Sequence, residues 1–241
     1  MTIEVIGSGS TGNCYIITSA KQKIILELGC NFHNVLEKLN FNLSDIVGCI
    51  VSHVHSDHTK YVNKAREYQL DIWGNSEVKE KYSYVNLITT KYRYSIGDFK
   101  IQCIKVPHNA LCYAFIIDCP THERILFCTD LSSFHYTIKD IDVIMIEANY
   151  SNDILINKMA GGAIIRSQSN NHMEINDTIE TIIHNISSKT KSIILLHLSN
   201  ALSNTEEFCT DVQNAVVHLG KKTNVYVATA NDVYAINESD F

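Results

Sequence analysis

One residue beyond the apolar run Ile46-Val47-Gly48-Cys49-Ile50-Val51 stands the segment His53-Val54-His55-Ser56-Asp57-His58. The run is rich in β-branched residues and reads as a buried strand. Three imidazoles and a carboxylate at its end must be carried to a sheet edge and given partners there, because polar groups buried without partners are costly. Extended backbone alternates sides, so His53 and His55 face the same way and can share one metal ion. Asp57 and His58 lie past the bend, within reach of a second. Histidine and carboxylate suit zinc, and also manganese or iron. Given the His and Asp content, a chance match to this spacing is on the order of one in a thousand, so incidental histidines in a polar turn are a poor account of it.

The rest of the chain supplies a sheet for that edge. Strands are expected at Thr2 to Gly7, Asn13 to Ser19 and Lys23 to Leu28, then at Phe99 to Val106, Cys112 to Ile117, Ile125 to Cys128 and Val143 to Ile146. Ser192 to Leu196, Val225 to Ala228 and Val233 to Ile236 complete the set. Helices are expected around Asn34 to Leu39, Thr59 to Tyr68, Asp177 to Ile186 and Thr205 to Leu219. Strands interleaved with helices predict an α/β sheet sandwich flanked by helices, one domain over residues 1–241. The Gly7-Ser8-Gly9-Ser10-Thr11-Gly12-Asn13 turn could cradle phosphate through its N–H groups, but a plain turn is the expectation. Tyr82-Ser83-Tyr84-Val85-Asn86 and Tyr92-Arg93-Tyr94 read as strands with tyrosines on one face, with base stacking the alternative.

Composition narrows the function classes. With 45% hydrophobic and 19% charged residues, the chain has the make-up of an ordinary globular protein. No apolar stretch has the length to span a bilayer, and the start, Met1-Thr2-Ile3-Glu4-Val5-Ile6-Gly7, lacks the features of a signal peptide. No membrane association is expected. The eight cysteines form no Cys-x-x-Cys pair, and several fall inside apolar runs. Reduced thiols in the cytoplasm explain this better than disulfides. A net charge of −6 argues against a broad nucleic-acid surface.

A two-metal hydrolytic site needs on the order of seven protein ligands. His108, Asp130 and His197 each follow a strand-like run and complete that number. In these segments the chain resembles the metallo-β-lactamase-fold hydrolases, and within them the YycJ/WalJ group, with ribonucleases Z and J more distant. The resemblance rests on Gly7 to Asn13, Ser52 to His58, Pro107-His108-Asn109-Ala110, Thr129-Asp130, Glu147-Ala148-Asn149, His172 and His197-Leu198-Ser199. It implies an αββα sandwich with two divalent metal ions at one edge. His53, His55 and His108 would hold one ion, Asp57, His58 and His197 the other, and Asp130 would bridge them. Asp57 would serve catalysis through its ion. His172 would lie over the scissile phosphate, oriented by Glu147, with Asn176 and Asp177 as helix caps behind it. Relatives often dimerise, which makes a homodimer an expectation of the resemblance alone, and they place the protein in a bacterial or phage-infected cytoplasm.

The chain departs from the family at Glu27, where aspartate is usual, and at Ala160 to Arg166, which lacks the usual basic character. That stretch is expected to be a lid with Arg166 as phosphate contact, or a simple loop. The expected activity is hydrolysis of a nucleotide phosphodiester by a metal-bridging hydroxide, with a small cyclic nucleotide favoured by the acidic balance. The alternatives are a 5′-to-3′ DNA exonuclease, a thioester or lactone hydrolase that leaves His172 idle, and a metal-free binding protein.

Overall fold

The computed structural model describes residues 1–158 and 171–236. The stretch Ala160 to Arg166 therefore lies outside the described residues. Two seven-stranded sheets make up the scaffold. The first contains β1 (Thr2–Gly7), β2 (Cys14–Ser19), β3 (Gln22–Leu26), β4 (Ile46–Ile50), β5 (Ile72–Gly74) and β6 (Asn86–Leu87), with β14 (Val233–Ala235) pairing on β1. The second runs in sequence order through β7 (Arg93–Ile96), β8 (Phe99–Val106), β9 (Cys112–Asp118), β10 (Arg124–Cys128), β11 (Val143–Glu147), β12 (Ser192–Leu196) and β13 (Asn224–Val227). Each sheet passes from an antiparallel half to a parallel half. Strands β8, β10, β11 and β12 thus end at one edge of their sheet.

Between the sheets lies an apolar layer that includes Ile3, Val5, Tyr15, Ile17, Phe115, Phe127, Met145 and Ile194. The outer face of the first sheet is covered by α1 (Phe32–Lys38) and α3 (Val62–Glu67), whose Phe32, Val35, Val62 and Ala65 pack on Ile16, Ile25 and Cys49. The second sheet's outer face receives Ile182 of α6 (Ile175–Asn185) and Phe208, Val212 and Val216 of α7 (Thr205–His218). The result is the expected αββα sandwich. Strands buried on both faces need unbroken apolar runs, and all five residues of β11 and of β12 are buried.

Three local expectations differ from the structure. The helix expected from Thr59 to Tyr68 is two pieces, α2 (Ser56–Thr59) and α3, with the break at Tyr61. The Tyr61 amide donates to the Leu28 carbonyl at 2.8 Å instead of continuing the ladder. The tyrosine segments are not two strands: residues 82–85 form no strand, and only Arg93 and Tyr94 of the second segment enter β7. At α6 the cap is Glu174, ahead of Asn176 and Asp177, its carboxylate accepting from the Asn176 amide at 2.6 Å. Two further helices, α4 (Ser76–Lys81) and α5 (Asn152–Lys158), had no sequence counterpart. All eight cysteines are free thiols, six of them buried. Among the described residues, no helix is long and apolar enough to cross a membrane.

Among the described glycines, Gly29 has the closest approach to its surroundings. A Cβ there would lie 1.6 Å from the Asp57 carbonyl oxygen, which is backbone and cannot swing away. Gly29→Ala is expected to lower the thermal midpoint by roughly 6–12 °C, the equivalent of about 3 kcal/mol in a chain of this size, in a calorimetric scan.

Candidate metal centre

Seven candidate ligands meet at the shared edge of the two sheets. His53 and His55 follow β4, Asp57 and His58 lie in α2, and His108, Asp130 and His197 follow β8, β10 and β12. Glu27, Asp130 and His197 hold left-handed backbone, with φ of 64°, 52° and 53°. Such conformations cost on the order of 1–3 kcal/mol each in non-glycine residues and cluster where geometry is functional. No residue pattern in the chain signals them.

Their polar atoms converge in two sets joined by one carboxylate. His55 Nδ1 lies 2.9 Å from His53 Nε2 and 3.2 Å from His108 Nε2. Asp130 Oδ2 lies 3.8 Å and 3.9 Å from those two Nε2 atoms. Its other oxygen, Oδ1, lies 3.3 Å from His58 Nε2 and 3.4 Å from His197 Nε2. Asp57 Oδ2 completes the second set at 3.3 Å and 3.4 Å from the same nitrogens. His53, His55, His108 and Asp130 could hold a metal ion, as could Asp57, His58, Asp130 and His197.

Polar groups stand beside the outward-facing nitrogens of His53, His58, His108 and His197, as metal-binding histidines require. His53 Nδ1 is 3.0 Å from the Ser52 hydroxyl, and His108 Nδ1 donates to the Asn171 carbonyl at 3.0 Å. His58 Nδ1 faces Glu27 Oε2 at 3.3 Å. His197 Nδ1 lies between Glu147 Oε1, 3.2 Å away, and Asn149 Nδ2, 3.1 Å away. Glu27 also accepts the Ser52 amide on both oxygens, so the longer side chain still supports the metal loop.

Charge divides the two sets. Burial holds His53, His55 and His108 below the usual imidazole value, leaving them neutral ligands. Burial also disfavours the His58 and His197 cations, but the carboxylates outweigh it. Asp130 and Glu27 hold His58 well up, and Asp130, Asp57 and Glu147 lift His197 to about 10. Burial would raise Asp57 and Asp130, yet the facing histidines hold both down. The second set is thus a pocket of negative charge satisfied by protons.

His172 sits beside this centre, stacked on His197 at 5.2 Å between ring centroids. Its Nδ1 lies 2.6 Å from Oε1 of the fully buried Glu147. That contact lifts the His172 pKa against the burial that opposes it. Glu147 thus contacts His172 and, through the same oxygen at 3.2 Å, His197, a second link that no sequence signal carried. His172, Ser10, Asp57 and Asp130 line a cavity of about 250 Å³, and a lobe of about 170 Å³ continues past His172 to Ser199 and Leu202. The Gly7 to Asn13 segment is a turn: the Gly9, Gly12 and Asn13 amides donate to Asn13 Oδ1, the Gly9 carbonyl and the Asp57 carbonyl. Those three amides are unavailable to a phosphate.

An αββα scaffold whose sheet edge gathers seven His and Asp side chains defines a metallo-hydrolase class, and residues 32–197 match the "Beta-lactamase superfamily domain" family. The chain belongs to that superfamily and is a hydrolase of it. It is 24% identical over 220 residues to exodeoxyribonuclease WalJ of Streptococcus pneumoniae, covering 81% of each chain. Among solved structures it is similar to the metallo-β-lactamase-fold protein YhfI of Bacillus subtilis, with TM-score 0.75, 17% identity and 97% and 98% of the two chains covered. Human tRNase Z, short form, aligns with TM-score 0.70 and 12% identity over 98% of this chain and all of that one.

A divalent ion entering the second set must displace protons from His58 and His197. Titrating metal-free protein with zinc at neutral pH should therefore release protons, seen as a buffer-dependent calorimetric heat. Because His197 is raised, affinity should strengthen as pH rises toward about 10 and weaken as pH falls.

Proposed function

We propose that the chain is a dinuclear metal-dependent phosphodiesterase acting on nucleotide phosphodiester bonds. His53, His55 and His108 would hold one ion, Asp57, His58 and His197 the other, and Asp130 would be shared. The observation that carries this reading is the Asp130 carboxylate, whose two oxygens face opposite histidine sets. The donor set suits zinc, with manganese or iron as alternatives. Bound there, the ions supply an activated water and offset phosphate charge.

The chain's own residues supply the rest. His172, with Nδ1 tied to Glu147, offers Nε2 to the substrate. Its raised pKa keeps a proton available for the leaving oxygen or the developing charge. Glu147 positions His172 and His197 together, which couples the proton donor to the second metal set. No lysine or arginine lines the metal cavity or its lobe among the described residues. The acidic balance of the chain, net charge −6, favours a small cyclic nucleotide over a long polyanion. The eight free thiols support a cytoplasmic setting.

The similarity to exodeoxyribonuclease WalJ favours a second reading, a DNA exonuclease, with the 5′-to-3′ polarity that the family resemblance implies. Assaying a cyclic mononucleotide panel beside 5′-phosphorylated DNA separates the two. Turnover of the cyclic nucleotides alone is the expected outcome, whereas progressive loss of nucleotides from DNA would establish the exonuclease. With either substrate, His172→Ala should lower kcat by about 10²- to 10⁴-fold while metal content stays at the wild-type value. A fully active His172→Ala protein would point to thioester or lactone hydrolysis. Asp57→Ala should lose activity and one ion together, read by elemental analysis.

A further inference from the structure

The Gly7 to Asn13 turn grips the second metal set from both of its sides. Ser8 Oγ accepts two hydrogen bonds, from the Tyr15 hydroxyl at 2.8 Å and from the His197 backbone amide at 2.9 Å. His197 is the ligand held at φ 53°, so its amide marks the point where the chain leaves β12 in a conformation it would not adopt alone. At the other end of the turn, the Asn13 amide donates to the Asp57 carbonyl at 2.8 Å. Asn13 Nδ2 lies 3.4 Å from that carbonyl and 3.1 Å from His58 Nε2. Tyr15 joins the two ends, its hydroxyl also lying 3.3 Å from Asn13 Oδ1.

The Tyr15 ring is fully buried in the layer between the sheets, edge-on to Phe127 of β10 at 5.6 Å. Packing at that position would be met equally by phenylalanine, and a hydroxyl buried there is unfavourable unless it finds a partner. Its partner is Ser8, and through Ser8 the His197 amide. Among the described residues, the turn's hydrogen bonds reach Asp57, His58 and His197 but none of His53, His55 and His108.

We propose that Ser8 and Tyr15 are positioning residues for the second metal, setting His197 against Asp57 across the two sheets through the Tyr15–Ser8–His197 hydrogen bonds. The inference rests on the two-metal reading above. It assigns the turn to one ion, where a general structural role would affect both alike.

Metal-free wild type, Tyr15→Phe, Ser8→Ala and Ser8→Thr would be titrated with zinc against a chromophoric chelator, and Asp57→Ala would identify the step belonging to the second ion. In Tyr15→Phe and Ser8→Ala that step should weaken by about 10- to 100-fold, the usual loss when a group supporting a ligand is removed. The other step should hold its affinity, and Ser8→Thr, which keeps the hydroxyl, should restore both. Tyr15→Phe preserves the packing, so the comparison stands even where Ser8→Ala unfolds; circular dichroism and the thermal midpoint check this. Unchanged affinity at both steps, or equal weakening of both, would overturn the proposal while leaving the two-metal reading intact. A wild type that takes up fewer than two ions would overturn the reading and the proposal with it.

Discussion

Everything at the sheet edge is organised around one buried carboxylate. Asp130 is 2% exposed and places an oxygen toward each histidine set. An ionised carboxylate so deeply buried is tenable only where positive charge or strong donors face it. Four imidazoles meet that need, and they in turn require anchors for their outer nitrogens. Glu27, Ser52, Glu147 and Asn149, each at or just past a strand end, stand beside the outer nitrogens of His58, His53 and His197, and the Asn171 carbonyl holds that of His108. The αββα sandwich serves this arrangement by bringing the strand ends of both sheets to one edge, so that ligands far apart in sequence converge without long loops.

Much of this was legible in the amino-acid order. The strands β9 to β12 announce themselves because burial on both faces demands unbroken apolar runs. Strand β8 shows instead the alternation of a strand with one exposed face, and the histidine motif is too dense to be accidental. His108, Asp130 and His197 were found because each follows one of these strands. The elements that escaped are those whose stability comes from tertiary contact: β5 and β6 have three and two residues, too few for a pattern. The break in the helix after the metal motif was hidden for a related reason, since the Leu28 carbonyl that ends it belongs to a segment more than thirty residues earlier.

Within the site, residue identity was easier to read than residue connection. Glu147 was recognised as the partner of His172, but its hold on His197 depends on two rings stacking, which no spacing encodes. Tyr15 reads as an ordinary strand residue, and its polar role emerges only once Ser8 is seen beneath the His197 amide. Glu27 stands where the family usually has aspartate. In three dimensions its extra methylene is absorbed, and the carboxylate still meets the Ser52 amide and His58. Left-handed backbone at Glu27, Asp130 and His197 was invisible for the same reason, because it is imposed by surroundings and not by the residues themselves.

The way the chain threads the two sheets has a consequence during synthesis. The first sheet draws six strands from residues up to Leu87, yet β14 pairs with β1 only after Val233 has been made. The histidine motif leaves the ribosome early, while Asp130 and His197 follow much later. A nascent chain can present His53, His55, Asp57 and His58, but without the second sheet those side chains have neither the shared carboxylate nor the His197 that faces it. Because domains built on such distant contacts close late, tight metal capture would coincide with completion of the fold. A chain that stalls or misassembles would lack the assembled His and Asp centre, and only finished molecules would carry the complete site.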